Sequence, residues 1–576
     1  MGDSLFFKLC SSKFLKPPAS RVVQDTNDSE ESKALILKWR DTCIETHAEC
    51  RPSDVPTEYW KPTRLLQVES SKENEAEVCK LVNGSQIAEE EGYVALSYCW
   101  GKDPRFLKLE SGNEHELREG VLLSSLEKTF QDALKVTRWL GYKYIWIDCL
   151  CIKQDKDKED WQTEAPTMKS VYSGASITIV AAHGGDPSSG LFTTRYAESI
   201  VPPVIQCSWA RSLGPTRTII YDNLWYYEID KGPLASRAWA VQERALSRRL
   251  VVFGKAQVFF KCSNMNLCES YPNCTPPWSV TGSGTSALFQ LSDQVASPEN
   301  AWSEVARIYS ATKLTRDEDK LMALSGLAEK MQRRFPGEDY VVGLWGVNQT
   351  HRATELLWTT DHYINKPARR PSPCVAPTWS WLSIITEVSL RDPKKDIGGK
   401  VLIKILEVCV TPVDAKHPTG NIHKDPWLHI RCKLKPAQWK ITDYYEDDYL
   451  GKYRITFDGI ARNRSRGDNI IVSVENVKLD GPISMDLANR KIFLLPVTEF
   501  FFRRRKKIAG LVVTPVNNQE MRYERLGYFE MYKKDAGRLM YERRTSSFSN
   551  EGLKIRKKRG FQKQWWKIPA RSIYLV

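Results

Sequence analysis

Residues 142–148 read YKYIWID. Apolar side chains occupy both alternating faces through Ile145, Trp146 and Ile147, the pattern of a strand covered on both sides and therefore central in a parallel sheet. On its amino side, Ser124 and Glu127 have capping-box spacing, and Leu126, Phe130, Ala133 and Thr137 recur on one face until Gly141, which predicts a helix. On its carboxyl side, a helix from about Asp160 to Tyr172 leads into ASITIVAA (175–182), a second buried strand that opens into the glycine loop HGGDPSSG (183–190).

The same alternation extends in both directions. YVALSYCWG (93–101) starts as a strand, Tyr93 to Leu96, then runs into Ser97, Tyr98, Cys99 and Trp100, with Gly101 permitting a tight turn. A third helix, about Ser236 to Ser247, precedes RLVVFGKAQVFFKC (249–262), two strands joined in a hairpin at Gly254 and Lys255. Residues 91–262 thus read as an α/β layer with a largely parallel sheet flanked by helices. Before it, 1–30 is polar and aperiodic, a disordered tail, and 31–90 is a lead-in with a helix near Leu35–His47. After it, 263–300 is a loop or insertion rich in Ser, Gly, Pro and Asn. Residues 301–385 are a helical extension, with a capping box at Thr315 and Glu318 and Leu321, Leu324, Ala328 and Met331 on one face. Runs such as KVLIKILEVCV and KIFLLPVTEFFF make 386–576 a β-rich C-terminal domain.

A chain of 576 residues is expected to hold roughly two to four domains of about 150 residues. No apolar run approaches the roughly 20 residues of a membrane helix. The N-terminus has no signal-peptide core, and Phe6 stands where a myristoylation motif needs Ser or Thr, although Cys10 remains an acylation candidate. Fourteen cysteines without secretory features fit a reducing compartment, so a cytoplasmic location is expected. The net charge of +14 is uneven: residues 391–576 carry +18 and the first 390 carry −4. RRRKK (Arg503–Lys507) and KIRKKRG (from Lys554, with Arg559) read either as solvated turns or as contacts for nucleic acid or another acidic surface, where Phe501, Phe502, Trp565 and Trp566 would stack.

No glycine-rich dinucleotide fingerprint, phosphate loop, H-E-x-x-H or C-x-x-C pair is present, which argues against common nucleotide hydrolases and metalloproteases. Three polar segments remain: ALSYCWG, WIDCLCIKQD and SRAWAVQERAL. In open parallel sheets the carboxyl ends of strands line a common crevice, so Ser97, Tyr98, Trp100, Gly101, Asp148 and Gln154 are candidate ligand-binding residues there. CIETHAEC places Cys43, His47 and Cys50 on one helical face, but no fourth ligand is evident, and Cys262, Cys268 and Cys274 are too widely spaced for a zinc assignment; no metal is expected.

YVALSYCWG, YKYIWIDCLCIKQDKDKEDW with MKSVYSGASITIVAA, and PLASRAWAVQERALSRRLVVFG resemble, in order, the three sequence blocks of the fungal heterokaryon incompatibility (HET) domain. LTRDEDKLMALSGLAEK, YVVGLWGVN and APTWSWLS resemble the companion segments of large fungal members. Pro166 departs from the pattern: either the helix starts near Ala165 or it kinks there. The resemblance implies a role in non-self recognition that ends in growth arrest or cell death, with protein partners and self-association. It also implies remote similarity to TIR domains, some of which cleave NAD with a helical glutamate. Glu243 is the matching residue, with Arg237, Trp239 and Gln242 beside it on the ligand-binding side, Arg244 and the Gly184–Gly185 loop as further phosphate contacts, and NAD as substrate rather than cofactor. Glu243 alternatively serves as an ion-pair partner of Arg237, Arg244 and Arg248. Stabilising an oxocarbenium-like state requires a carboxylate near the ribose, whereas nicotinamide leaves without a proton.

Overall fold

The computed structural model describes residues 7–11, 23–51, 60–68, 77–202, 204–206, 216–221, 224–273, 298–346, 350–360, 368–391, 399–441, 453–456, 461–462, 469–470, 476–480, 490–503, 505–516, 521–532 and 569–576. The chain divides into two compact units, one formed by Met1–Ala296, Thr312–Leu314 and Met322–Lys330, the other by Ser297–Ala311, Thr315–Leu321 and Met331–Val576.

The first unit is built on a nine-stranded sheet. Its strands are β1 (Arg64–Val68), β2 (Val78–Asn83), β3 (Tyr93–Ser97), β4 (Val121–Leu122), β5 (Tyr144–Trp146), β6 (Ile177–Ala181), β7 (Arg249–Phe253), β8 (Val258–Cys262) and β9 (Asn266–Cys268). They lie in the order β9-β8-β7-β6-β3-β5-β1-β2-β4. The central four, β7, β6, β3 and β5, are mutually parallel, but antiparallel strands extend the sheet on both sides, so it is mixed rather than largely parallel as the strand–helix alternation predicts. All five residues of β3, β6 and β7 are buried, as continuous apolar runs in a two-sided sheet require. Counted from β3, the parallel strands have the doubly wound order 2-1-3-4, whose switch point falls between β3 and β6.

The helices are α1 (Glu30–Thr46), α2 (Lys128–Trp139), α3 (Met168–Gly174) and α4 (Ala238–Leu246). In α2, Phe130, Ala133, Leu134, Val136 and Thr137 form the buried face. Gly141 closes it at φ +77°, and its N–H bonds to the Arg138 carbonyl at 2.9 Å. The expected Ser124–Glu127 capping box is absent: Ser124 sits in a 3-10 turn and no side chain caps the helix. Pro166 resolves the second helix into Glu159–Glu164, a 3-10 turn at Ala165–Thr167, and α3. The proline thereby occupies the start of a turn, where its missing N–H is harmless. Trp146 of β5 packs edge-on against Tyr172 of α3, ring centroids 5.6 Å apart.

Two segments fold otherwise than the periodicity suggests. The lead-in 31–90 supplies β1 and β2, so it is part of the same sheet. Phe7–Ser11, within the expected N-terminal tail, pairs as an antiparallel strand with Thr216–Tyr221. Residues 274–297 of the expected insertion lie outside the described residues.

The second unit is β-rich, as the C-terminal patterns predict. Its ten-stranded sheet includes the long hairpin strands β10 (Ile492–Phe502), β11 (Arg505–Pro515) and β12 (Arg522–Tyr532). Arg525 is completely buried; it pairs with Asp480 and donates to the Leu356 and Trp358 carbonyls. The predicted extension 301–385 divides between the units. Its helix runs Met322–Gln332, preceded by a 3-10 turn at Asp317–Lys320 with no capping side chain, so the predicted Thr315–Glu318 capping box does not form.

Candidate functional site

Ser97 ends β3 and lies across from Val180 of β6, so its hydroxyl opens at the switch point of the parallel strands. Asp148 follows β5 at the same carboxyl edge. Glu243 comes from α4, in the connection between β6 and β7. The fold joins all three. Ser97 Oγ donates to Glu243 Oε2 at 2.5 Å. Tyr98 Oη and Trp100 Nε1 donate to the two oxygens of Asp148 at 2.7 and 2.8 Å, and the Cys149 N–H adds a third bond at 2.7 Å. Arg237 Nη1 donates to the Tyr98 carbonyl at 2.8 Å, and its charge acts on both Asp148 and Glu243.

Local structure explains each position. Arg237 precedes α4 and is tied down by Ala238 N–H to the Lys313 carbonyl and Lys313 N–H to the Ser236 carbonyl, 3.0 and 2.7 Å. The α4 terminus is held by Ser247 Oγ, which bonds to the Glu243 carbonyl at 2.6 Å and to Thr178 Oγ1 of β6 at 2.7 Å. Gly101 adopts φ +79°, and a Cβ there would stand 2.8 Å from the Asp186 Cβ, so the turn after Trp100 nests against the HGGDPSSG loop. Tyr98 packs edge-on against Phe130 of α2 at 5.1 Å.

Burial dominates the electrostatics. Glu243 is 8 % exposed; desolvation pushes its carboxyl up from 4.5 to about 7, against the stabilising pull of Arg237 and the Ser97 hydroxyl. Burial also raises Asp148, opposed by Tyr98, Arg237 and Trp100. The same desolvation carries the Tyr98 and Tyr172 phenols far above their ordinary range. The cluster therefore holds a carboxyl that takes up or releases a proton near neutrality, beside a guanidinium that can meet an anion.

Other predicted residues face elsewhere. Gln242 accepts a hydrogen bond from the Gly326 N–H at 2.8 Å and so fastens α4 to the segment Met322–Lys330. Trp239 is half-buried and meets Trp161 edge-on at 6.5 Å. Gln154 bonds back to the Ile152 carbonyl at 3.0 Å. Arg244 is buried on the side of Asp230, 3.8 Å away; Arg248 donates to the Ser173 and Gly174 carbonyls. Neither forms the expected ion pair as a direct bond to Glu243: the described hydrogen bond there comes from Ser97. Tyr172 is the residue that sequence reasoning passed over. It donates to the Leu96 carbonyl at 3.2 Å and interacts with Glu243. Its place in MKSVYSG, directly before a buried strand, was the available signal.

Two further groups were singled out by sequence. Cys43, His47 and Cys50 meet Cys262, the fourth partner that sequence spacing did not reveal. The basic run around Arg503 forms the tip between β10 and β11, where Lys506 pairs with Glu499 and Lys507 with Glu530, at 3.2 and 3.0 Å. Phe501 and Phe502 beside them are exposed. Arg504, Lys554–Arg559, Trp565 and Trp566 lie outside the described residues.

A doubly wound α/β sheet with a buried acid–serine pair at its switch point, flanked by the half-buried Arg237, defines the class of this unit. Residues 93–243, within the first unit, match the model of the heterokaryon incompatibility protein (HET) family. The chain is similar to heterokaryon incompatibility protein 6, OR allele, of Neurospora crassa, with 31% identity over 94 residues. That similarity spans 15% of this chain and 14% of the relative. No solved structure matches the chain. Among the described residues, no helix is long and apolar enough to cross a membrane.

Proposed function

We propose that this chain acts in fungal heterokaryon incompatibility, as a signalling or execution module of the cell death that follows non-self contact, and that the cluster around Glu243 is its working part. The observation that carries this reading is the union of Ser97, Asp148 and Glu243, far apart in sequence, at one sheet edge inside the HET-matched region. Cytoplasmic protein partners and self-association would transmit the signal.

A second reading makes the same cluster an NAD-cleaving site of the kind found in some TIR domains. It is favoured by Glu243, whose ionisation near neutrality is paired with Arg237 at a switch-point edge. NAD+ and water would yield nicotinamide, ADP-ribose and a proton. The ribosyl C1′–N bond breaks with its electron pair leaving on nicotinamide, ionised Glu243 stabilises the oxocarbenium-like centre, and water then adds. Arg237 would hold the pyrophosphate.

The test is regulated expression in a fungal host of wild type, Glu243→Gln and Trp146→Asp, scoring viability and cellular NAD. Loss of toxicity in Trp146→Asp, which disrupts the core, is expected under either reading. Toxicity and NAD depletion both lost in Glu243→Gln support cleavage; toxicity retained with NAD unchanged throughout supports a non-enzymatic module. Wild-type protein that is neither toxic nor NAD-depleting would overturn both.

A further inference from the structure

Helix α1 ends over Cys43 and His47, and the 3-10 turn Ala48–Cys50 that follows carries Cys50. Cys262 ends β8, more than two hundred residues later in the chain. One ligand atom from each of these four residues, three thiol sulfurs and an imidazole nitrogen, lies within 4.8 Å of every other. Cys262 Sγ is 3.4 Å from His47 Nδ1. Around tetrahedral zinc, with Zn–S about 2.3 Å and Zn–N about 2.0–2.1 Å, neighbouring ligand atoms stand roughly 3.5–3.8 Å apart, so the His47–Cys262 separation is close to that of a coordination shell and the other pairs, all within 4.8 Å, need at most a small contraction.

Its surroundings point the same way. Arg249 Nε donates to Cys43 Sγ at 3.1 Å, and the Met265 N–H donates to Cys262 Sγ at 3.3 Å. Arg249 is 6 % exposed. Its other hydrogen bonds go to the Ser176 and Cys50 carbonyls, and among the described residues it makes no ion pair with a carboxylate. A buried guanidinium needs a negative partner, which Cys43 would supply as a thiolate. Three thiolates crowded together would repel one another unless a cation sat between them. With a divalent ion the centre carries one net negative charge, which Arg249 offsets. N–H groups directed at ligand sulfurs are the outer contacts that tune thiolate–metal sites.

We propose that Cys43, His47, Cys50 and Cys262 bind one zinc ion in a closed structural site that fastens the N-terminal helix to strand β8. Four protein ligands leave no open position, so the ion holds structure and performs no catalysis. Soft sulfur donors with one imidazole select zinc over magnesium or calcium. Binding converts three thiols to thiolates and releases their protons to solvent.

The full-length chain, purified without chelator, is expected to contain one zinc per chain by elemental mass spectrometry. Cobalt exchange should give the visible bands of a tetrahedral, sulfur-rich centre. Cys262→Ser should lower zinc content at least tenfold, whereas His47→Cys, which restores a four-ligand set, should keep it. If Cys262→Ser does not fold, zinc content and the cobalt spectrum of wild type decide alone. Folded wild type with no zinc, a disulfide among these cysteines, or full zinc content in folded Cys262→Ser would each overturn the proposal.

Discussion

Replacing Glu243 by glutamine should make the protein more stable above neutrality, and the gain should depend on pH in a defined way. Glutamine keeps the shape and can still accept the Ser97 hydrogen bond, but it carries no charge to desolvate. The folded carboxyl titrates at about 7 against an ordinary 4.5. Below the ordinary value both folded and unfolded chains hold the proton, and Glu243 has no effect on the pH dependence. As pH rises from about 4.5 to about 7 the unfolded chain releases its proton while the folded one retains it, so wild type loses stability throughout that window and levels off above it. At about 1.4 kcal/mol per pH unit the full loss is about 3 kcal/mol. The value of about 7 already includes the pull of Arg237 and Arg244 and the push of Asp148 on the folded carboxyl, and Asp148, itself raised by burial, is present in both proteins. Thermal unfolding of wild type and Glu243→Gln between pH 5 and pH 8 is the assay. At roughly 2–4 °C per kcal/mol, the variant should gain several degrees over wild type across that range. A difference that does not change with pH, or a variant that weakens as pH rises, would refute the placement of this carboxyl in a desolvated cluster.

Gly101→Ala would force a left-handed backbone on a residue with a Cβ and press it 2.8 Å from Asp186. A loss of about 1–2 kcal/mol from the backbone alone is expected in chemical denaturation, with the clash adding to it, and an unchanged midpoint would show that the turn has another way to relax. In the basic tip, Lys506 and Lys507 already face carboxylates, whereas Arg503 and Arg505 lie over the Phe502 and Tyr532 rings. Neutralising Arg503 and Arg505 should therefore lower the salt needed to elute the chain from heparin more than neutralising Lys506 and Lys507 does, and the opposite ranking would exclude this tip as the acidic-surface contact.

Much of the first unit was legible residue by residue. The buried runs of β3, β6 and β7, the apolar face of α2 and the hairpin after Phe253 all follow from side-chain periods set by neighbours a few residues away. The capping boxes failed because a Ser–x–x–Glu spacing matches by chance; at 124–127 the 3-10 turn Leu123–Ser125 takes the entry to the helix instead. Pro166 was legible as a break, and the structure chose a 3-10 turn for it.

Sequence alone determined the α/β class, the central buried strands and the three polar segments, two of them ending strands and one on a helix, because local pattern reports local burial. Tertiary structure decided that β1 and β2 join the sheet, that Glu243 reaches Ser97, that Gln242 turns to Gly326, and that Cys262 completes the set begun by Cys43. The three side-chain pairings span from 84 to 219 residues, and all of these choices depend on which strand edges and buried polar groups find partners when the whole core closes. A one-dimensional pattern carries no record of that choice.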